Sequence, residues 1–312
     1  MSVLTIKDNL PIRGAIYNDN TLLVMGVYRP VEYGDDRVHA ARTLIDPDPA
    51  NWYQYCHPEA TLVRVYKFDD AWHMSTIGKI NARQCFWGSR ISFGSLFEDR
   101  MLPDIFPDPL EFWESLDAAY CYYFYLETIS FINPLVLHHE SANGCDRLKY
   151  FGRVPLSTAD FATFEFATET PTVLPLIGRV STTDLTTAPV AAVMVHRATG
   201  KSLKRWNREY HELLVLRGND PFVGRQYVRL YFEDSPHLIK FQEMYADQPL
   251  KLQLRRFIRL CISISHQLAG RGRRQLGSLI ERMGIVDPMA TQYEIATILL
   301  DRVNWNIVMR YC

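Results

Sequence analysis

The sequence predicts an α+β protein, a large domain of mainly antiparallel sheet followed by a small α-helical domain. Three observations carry this. Short apolar runs bounded by turn residues fill most of the first 235 residues, helical spacing interrupts them in few places, and from Pro236 the pattern changes to longer helical segments. Residues 21–27, 60–66, 72–76 and 120–128 read as strands, and Phe68-Asp69-Asp70-Ala71 reads as the hairpin turn between the second and third of them. Helices are expected at 36–44 and 109–119. In the latter Asp108 is the N-cap and Pro109 takes the first helical position, where a missing N–H costs nothing. The helical domain is expected to hold segments at 236–245, 249–269, 274–283 and 290–310. The boundary is therefore placed near Ser235, giving domains 1–235 and 236–312. The sequence has no internal repeat and no low-complexity segment.

With 47% hydrophobic and 12% aromatic residues over 312 positions, the chain can bury a core large enough for both domains. Thirty-four basic residues almost cancel thirty-five acidic ones, so net charge singles out no partner and only local clustering is informative. Lys7 and Asp8 interrupt the apolar N-terminus, and no run approaches the ~18 apolar residues of a membrane span. A soluble, unsecreted, cytoplasmic protein without membrane partners is expected. The six cysteines, Cys56, Cys85, Cys121, Cys145, Cys261 and Cys312, are scattered without a Cys-x-x-Cys pair, which favours reduced thiols and no zinc. His138-His139-Glu140 does not make a metal site, because adjacent strand residues point to opposite faces. Neither a phosphate-cradling Gly-x-x-x-x-Gly-Lys-Ser/Thr loop nor a Gly-x-Ser-x-Gly elbow is present.

The strand after Cys56-His57-Pro58-Glu59-Ala60 leads through its hairpin into Ser75-Thr76-Ile77-Gly78-Lys79. Downstream come Trp87-Gly88-Ser89-Arg90-Ile91-Ser92-Phe93-Gly94-Ser95-Leu96-Phe97, Leu126-Glu127-Thr128 with Asn133-Pro134-Leu135-Val136, Arg217-Gly218-Asn219-Asp220-Pro221, and Tyr227-Val228-Arg229-Leu230. In this order the segments resemble the nucleotidyltransferase core of bacteriophage-type RNA ligases and their relatives in large DNA viruses, over about residues 52–235. The resemblance implies an ATP-grasp-like RNA ligase domain with ATP and magnesium as cofactors if it is active. It also implies an attacking lysine in a Lys-x-(Asp/Glu)-Gly motif, an acid on a Phe-Glu-Leu strand, a metal-binding Glu-Gly strand and a Lys-x-Lys strand.

Carried over residue by residue, the match departs from the family at the reacting groups. Glu59 takes the acid's place, which leaves His57 where the lysine stands and Ala60 where the glycine stands. Histidine can form a phosphoramidate, so His57 stays a candidate nucleophile beside its plain reading as a polar residue flanking a strand. Glu127, Lys204 and Lys79 fall at nucleotide-contact positions, with Glu127 otherwise a surface-facing strand residue and Lys204 an exposed one. The metal-binding strand falls on Ala191-Ala192-Val193-Met194-Val195, which lacks glutamate and glycine; His211-Glu212-Leu213 is a second placement that puts the Arg-Gly-Asn segment out of register. The Lys-x-Lys strand falls on Ser202-Leu203-Lys204.

Two basic clusters stand outside this frame. Lys251, Arg255, Arg256, Arg259, Arg271, Arg273 and Arg274 follow one another without an intervening acid, and Arg255 and Arg259 share a helical face opposite Leu254, Ile258 and Ile262. They read as phosphate contacts or as a solvated face. Arg197, Lys201, Lys204, Arg205 and Arg208 surround Trp206, which suits either base stacking or the core. The expected function is an RNA-ligase-like protein without catalysis that binds RNA or another nucleic acid, or serves as a scaffold or subunit of a viral assembly with protein partners, in host cytoplasm or virion. No cofactor and no metal are then expected. The alternatives are an active ATP-dependent RNA ligase and a capping-type guanylyltransferase.

Overall fold

The computed structural model describes residues 4–9, 12–33, 37–57, 60–86, 91–127, 147–167, 174, 177–179, 191–218, 222–246, 248–270, 276–284, 287, 289–303 and 305–312. The chain forms two compact units, Met1–His211 and Glu212–Cys312.

The first unit is α+β. Its strands are β1 (Leu4–Asn9), β2 (Ile12–Asn18), β3 (Thr21–Val24), β4 (Val27–Tyr28), β5 (Val31–Tyr33), β6 (Trp52–His57), β7 (Thr61–Phe68), β8 (Ala71–Thr76), β9 (Tyr120–Glu127), β10 (Arg147–Pro155), β11 (Glu165–Phe166), β12 (Gly178–Arg179), β13 (Ala191–His196) and β14 (Ser202–Trp206). They build three sheets. One runs β1-β2-β3 with β4 also on β2, a second runs β11-β10-β9-β7-β8 with β12 parallel to β10, and a third runs β5-β14-β13-β6. All pairings are antiparallel except β12 with β10 and β5 with β14. Helix α1 (Arg37–Ile45) and helix α2 (Pro109–Ser115) belong to this unit, together with a short helical turn Phe93–Ser95 that widens into a π-helix at Leu96–Met101. As the sequence predicts, the Asp108 carboxylate caps α2 by accepting from the Leu110 N–H at 2.9 Å. The β7–β8 turn places Asp69 and Asp70 at φ 51° and 58°, the double left-handed geometry of a two-residue hairpin.

Side-chain alternation sorts the sheets into layers. On β9, Cys121, Tyr123 and Tyr125 enter one core with Tyr53, Tyr55, Val193 and Val195 of the third sheet. Tyr122, Phe124 and Leu126 enter another with Phe93, Phe97 and Phe112. The far face of the third sheet, with Trp52, Ala192, Met194 and Leu203, meets Ala41 of α1. The order is thus helix, sheet, sheet, helix, with aromatic side chains filling the middle. Burying each large apolar side chain there stabilises the unit by about 1.5–3 kcal/mol.

Arg64 of β7 is fully buried on the inter-sheet face. Its Nη1 donates to the Gly14 carbonyl of β2, and its Nη2 donates to the Thr76 carbonyl of β8 at 2.8 Å. Among the described residues no carboxylate pairs with it. Gly14 sits at φ 73°, where a Cβ would lie 2.5 Å from the Ile77 carbonyl oxygen, so only glycine lets the β2 backbone approach closely enough. Tyr123 adds a second tie by donating to the Met25 carbonyl at 2.9 Å. A polar clasp closes the α1 side. His196 Nε2 lies 3.1 Å from Asp46 Oδ2, Asn51 donates to the same oxygen at 2.6 Å, and Thr199 Oγ1 lies 3.0 Å from His196 Nδ1. The Asp48 N–H, His196 and Asn51 hold the Asp46 carboxyl below its ordinary value.

The described elements of the second unit are helices: most of α3 (Arg208–Arg217), then α4 (Val223–Phe232), α5 (Leu238–Met244), α6 (Leu250–Leu268), α7 (Gly277–Met283), α8 (Gln292–Arg302) and α9 (Trp305–Tyr311). Phe241, Phe257, Ile264, Leu279, Leu299 and Val308 centre their core. Two expectations change here. Residues 223–232, placed before the expected boundary, form α4, whose Tyr227, Val228 and Leu230 pack into this core; the helical unit therefore begins well before Ser235, because burial against the other helices decides the conformation. The continuous helix expected over 290–310 is two helices, since Val303 is extended (φ −109°, ψ 136°) and turns its side chain into the core between them. Thr291 and Glu294 form a reciprocal capping box at the start of α8. No helix of the described residues is long and apolar enough to cross a membrane. The described cysteines, Cys56, Cys85, Cys121, Cys261 and Cys312, are free thiols.

Arg64→Ala removes the guanidinium donors from two main-chain carbonyls and leaves a cavity between the sheets, and is expected to destabilise the first unit by about 2–5 kcal/mol in urea denaturation. Arg64→Lys should recover only part, because one ammonium cannot reproduce the fork. The clasp makes a pH prediction. A carboxyl lowered by folding contributes stability above its ordinary value and loses it as pH falls through the folded one, so the difference in urea midpoint between wild type and Asp46→Asn should be present at neutral pH and shrink below about pH 4.

Candidate ligand-binding site

Between the six-stranded and the third sheet lies a cavity of about 330 Å³. Its walls are aromatic: Tyr55 of β6, Tyr125 of β9, Phe151 of β10, and Phe161 and Phe164 from the segment leading to β11. The hydroxyl oxygens of Tyr55 and Tyr125 lie 3.3 Å apart, and the Tyr55 ring leans on Phe151 at 4.9 Å between centroids. Burial pushes the Tyr125 phenol up to about 12 and that of Tyr55 well above its usual value, so both stay neutral and can exchange hydrogen bonds at physiological pH. Gly200, at φ 68°, forms one corner. A Cβ there would come within 2.6 Å of the Phe161 ring and 2.9 Å of the Tyr28 ring, so the glycine lets both rings close over the turn.

The polar lining is one-sided. Arg13, beside Gly14, and Arg29, after β4, contribute exposed cations. His57 contributes an imidazole whose centroid lies 5.6 Å from Tyr125 and 6.3 Å from Tyr55. Ser202 donates to the Tyr28 carbonyl at 3.4 Å. Among the described residues that line the cavity there is no lysine, aspartate or glutamate. Such a lining suits a flat ring between aromatic walls and a negative group near the arginines. It does not suit magnesium, whose first shell takes carboxylate oxygens. Among the described residues no group of three or more His, Cys, Asp or Glu side chains could hold a metal ion.

The residues singled out from the sequence are distributed unevenly around this cavity. His57 lines it. Backbone pairing sets His57 opposite Ala191 and Ala191 opposite Trp206, so β6, β13 and β14 do lie side by side. Lys204 shares the inter-sheet face with Ser202 but is outside the lining. It is only 7% exposed, which corrects its reading as an exposed strand residue, because its ammonium packs 3.6 Å from the centre of the Trp206 ring. Trp206 in turn stacks on Tyr210 and His211. Lys204 therefore leaves the surface that was to include Lys201 and Arg208. Glu127 is likewise buried rather than surface-facing, on the face of Tyr123 and Tyr125, where it pairs with Lys149 of β10 at 2.8 Å. Lys79 is exposed in the turn after β8, outside the lining to which Ile77 and Gly78 contribute. Glu212 is exposed on α3 and lies 3.8 Å from Lys240. Lys251, Arg255, Arg256 and Arg259 are exposed on α6. Glu59, Arg271, Arg273, Arg274 and the His138-His139-Glu140 segment lie outside the described residues.

Sequence reasoning missed Arg13, Arg29, the tyrosine pair and Lys149. Lys149 alternates with Leu148 and Tyr150, a cue that it shares the face of Phe151, but its partner Glu127 depends on the β9–β10 register. The tyrosines look like ordinary core residues until β6 and β9 are brought face to face.

The cavity lies within a two-sheet α+β unit. No family model matches the chain, and no curated protein matches its sequence. Among solved structures, one similar chain is a putative ATP-dependent DNA ligase from Aquifex aeolicus, with a TM-score of 0.41 and 12% identity over 90% of this chain and 76% of that one. Another is an RNA ligase of Naegleria gruberi in a mutant apo form, with a TM-score of 0.34 and 11% identity over 64% of each chain. Likenesses of this extent transfer neither activity nor residue roles.

Because burial holds Tyr125 neutral, Tyr125→Phe should leave the tyrosinate absorbance rise unchanged up to about pH 11 in an alkaline titration of the folded protein.

Proposed function

We propose that the first unit is an RNA-ligase-like nucleotidyltransferase fold that binds a nucleotide reversibly in the inter-sheet cavity and has lost adenylyl transfer. The carrying observation is the composition of the described lining, which has aromatic walls and two arginines but no lysine and no carboxylate. Tyr55 and Phe151 offer flat apolar surface to a base, and the paired phenols offer donors and acceptors to its edge. Arg13 and Arg29 suit phosphate oxygens.

Covalent transfer to the protein requires a nucleophile that sheds a proton and attacks the α-phosphorus, with cations to balance the developing charge. At the position that the resemblance gives to the lysine, the cavity presents His57. Its cross-strand neighbour is the methyl side chain of Ala191, where the family carries a metal-binding glutamate. An imidazole there can orient a ligand by a hydrogen bond without making a bond to phosphorus. A second reading, an active ATP-dependent RNA ligase or a capping-type guanylyltransferase with His57 as nucleophile, is favoured by one observation, that this ring lines the cavity.

Incubation with α-labelled ATP or GTP and magnesium or manganese separates the two. No label should survive denaturation, while calorimetry should detect nucleotide binding that weakens about tenfold or more when Arg13 and Arg29 are both changed to Gln, the scale of lost charge-assisted hydrogen bonds. Covalent label that disappears in His57→Ala would establish the active reading. Absence of both label and binding would sink the nucleotide reading altogether.

A further inference from the structure

Helix α6 (Leu250–Leu268) carries no acidic residue along its length. Leu250, Leu254, Phe257, Leu260, Cys261 and Ile264 turn inward. The opposite side exposes Lys251, Arg255, Arg256 and Arg259, followed by Ser263 and His266. At 1.5 Å rise per residue, Lys251, Arg255 and Arg259 succeed one another every ~6 Å in one slowly drifting row. Two other cations of this unit are answered by acids: Arg229 pairs with Asp301 at 3.2 Å, and Lys240 lies 3.8 Å from Glu212. Among the described residues none of the four α6 cations has an ion-pair partner. Like charges one turn apart on a helix repel, so the row costs stability that an external polyanion would recover.

We propose that this face of α6 docks the phosphate backbone of duplex nucleic acid, without base preference. Charge selects the partner class. The forked guanidinium groups of Arg255, Arg256 and Arg259 match phosphate oxygens two at a time, which a hydrated ammonium does not. Single strands gain affinity by stacking bases on aromatic rings, and the exposed side of α6 carries no Phe, Tyr or Trp, its one imidazole, His266, lying near the end of the helix beyond the cationic row. A rigid cationic row is instead matched by the fixed phosphates of a duplex, whose contacts position a protein and carry no sequence information. The apolar face is consumed by the core apart from Leu252, which is 48% exposed, so a single leucine is all the helix could insert into a lipid surface. The proposal stands independently of the cavity and its ligand.

The test uses the full chain, a short labelled RNA duplex and a series of salt concentrations. Each phosphate contact contributes about −0.9 to the slope of log K against log salt, so four contacts give about −3.6. Changing both Arg255 and Arg259 to Gln should shrink that slope by about 2, with helicity unchanged by circular dichroism. Changing both to Lys should preserve it, and should the glutamine pair lower helicity, Lys251→Gln alone should shrink it by about 1. A DNA duplex should bind like RNA, and a single strand of equal length more weakly. An unchanged slope in folded glutamine variants, tighter binding to single strands, or a preference for anionic phospholipid vesicles over the duplex would overturn the proposal.

Discussion

The cationic charge of Arg64 is sealed between two sheets, and an arginine cannot shed its proton to escape. Burying it is costly unless its donors are met; Nη1 and Nη2 are met by main-chain carbonyls rather than by an acid, while Nε has no hydrogen-bond partner among the described residues. That choice fixes more than one side chain. Carbonyls cannot be repositioned without moving the strands that carry them, so β2, β7 and β8 are locked to one geometry at their shared end. The residues next to those two carbonyls are Arg13, before Gly14, and Ile77, after Thr76, and both line the cavity. A cation outside the cavity lining thus positions one cation and one apolar wall that belong to it. Gly14 completes the arrangement, since any larger residue would force β2 away from Ile77.

The third sheet shows how little a frame depends on individual side chains. Its pairing keeps His57, Ala191 and Trp206 in line. These positions hold an imidazole, a methyl group and an indole, with Lys204 held over that indole. Glu127, on the neighbouring sheet, is matched by Lys149. Sheets and cores are held by apolar burial and by backbone pairing, neither of which depends on these groups.

Much of the frame is legible in the amino-acid sequence. Alternation exposes β7, β8 and β9, the Asp108-Pro109 pair announces α2, and the spacing of Leu254, Ile258 and Ile262 announces α6. These signals are local and are written in a few consecutive residues. The strand order of β6, β13 and β14 is not legible, since nothing local in Ala191–His196 says which strands flank it. What escapes is set by distant partners. Tyr227 to Leu230 falls before the expected boundary and belongs to the helical unit because other helices offer it a core. Val303 breaks a helical pattern because its side chain has somewhere better to go. Arg64 sits in a strand that otherwise reads as ordinary, and its two carbonyl partners, 50 and 12 residues away, leave no mark in composition.

The cavity is assembled from positions as far apart as Arg13 and Ser202, drawn from all three sheets of the first unit. Closing loops of that length before any contact rewards them is slow, so such a pocket belongs among the last features a chain completes. Until then there is no ligand site. A molecule that bound in the cavity would recognise only the finished first unit, and would add to the stability of that state in proportion to the logarithm of its own concentration once saturating. The pocket is in that sense a quality check on folding, written into the distance between its walls along the chain.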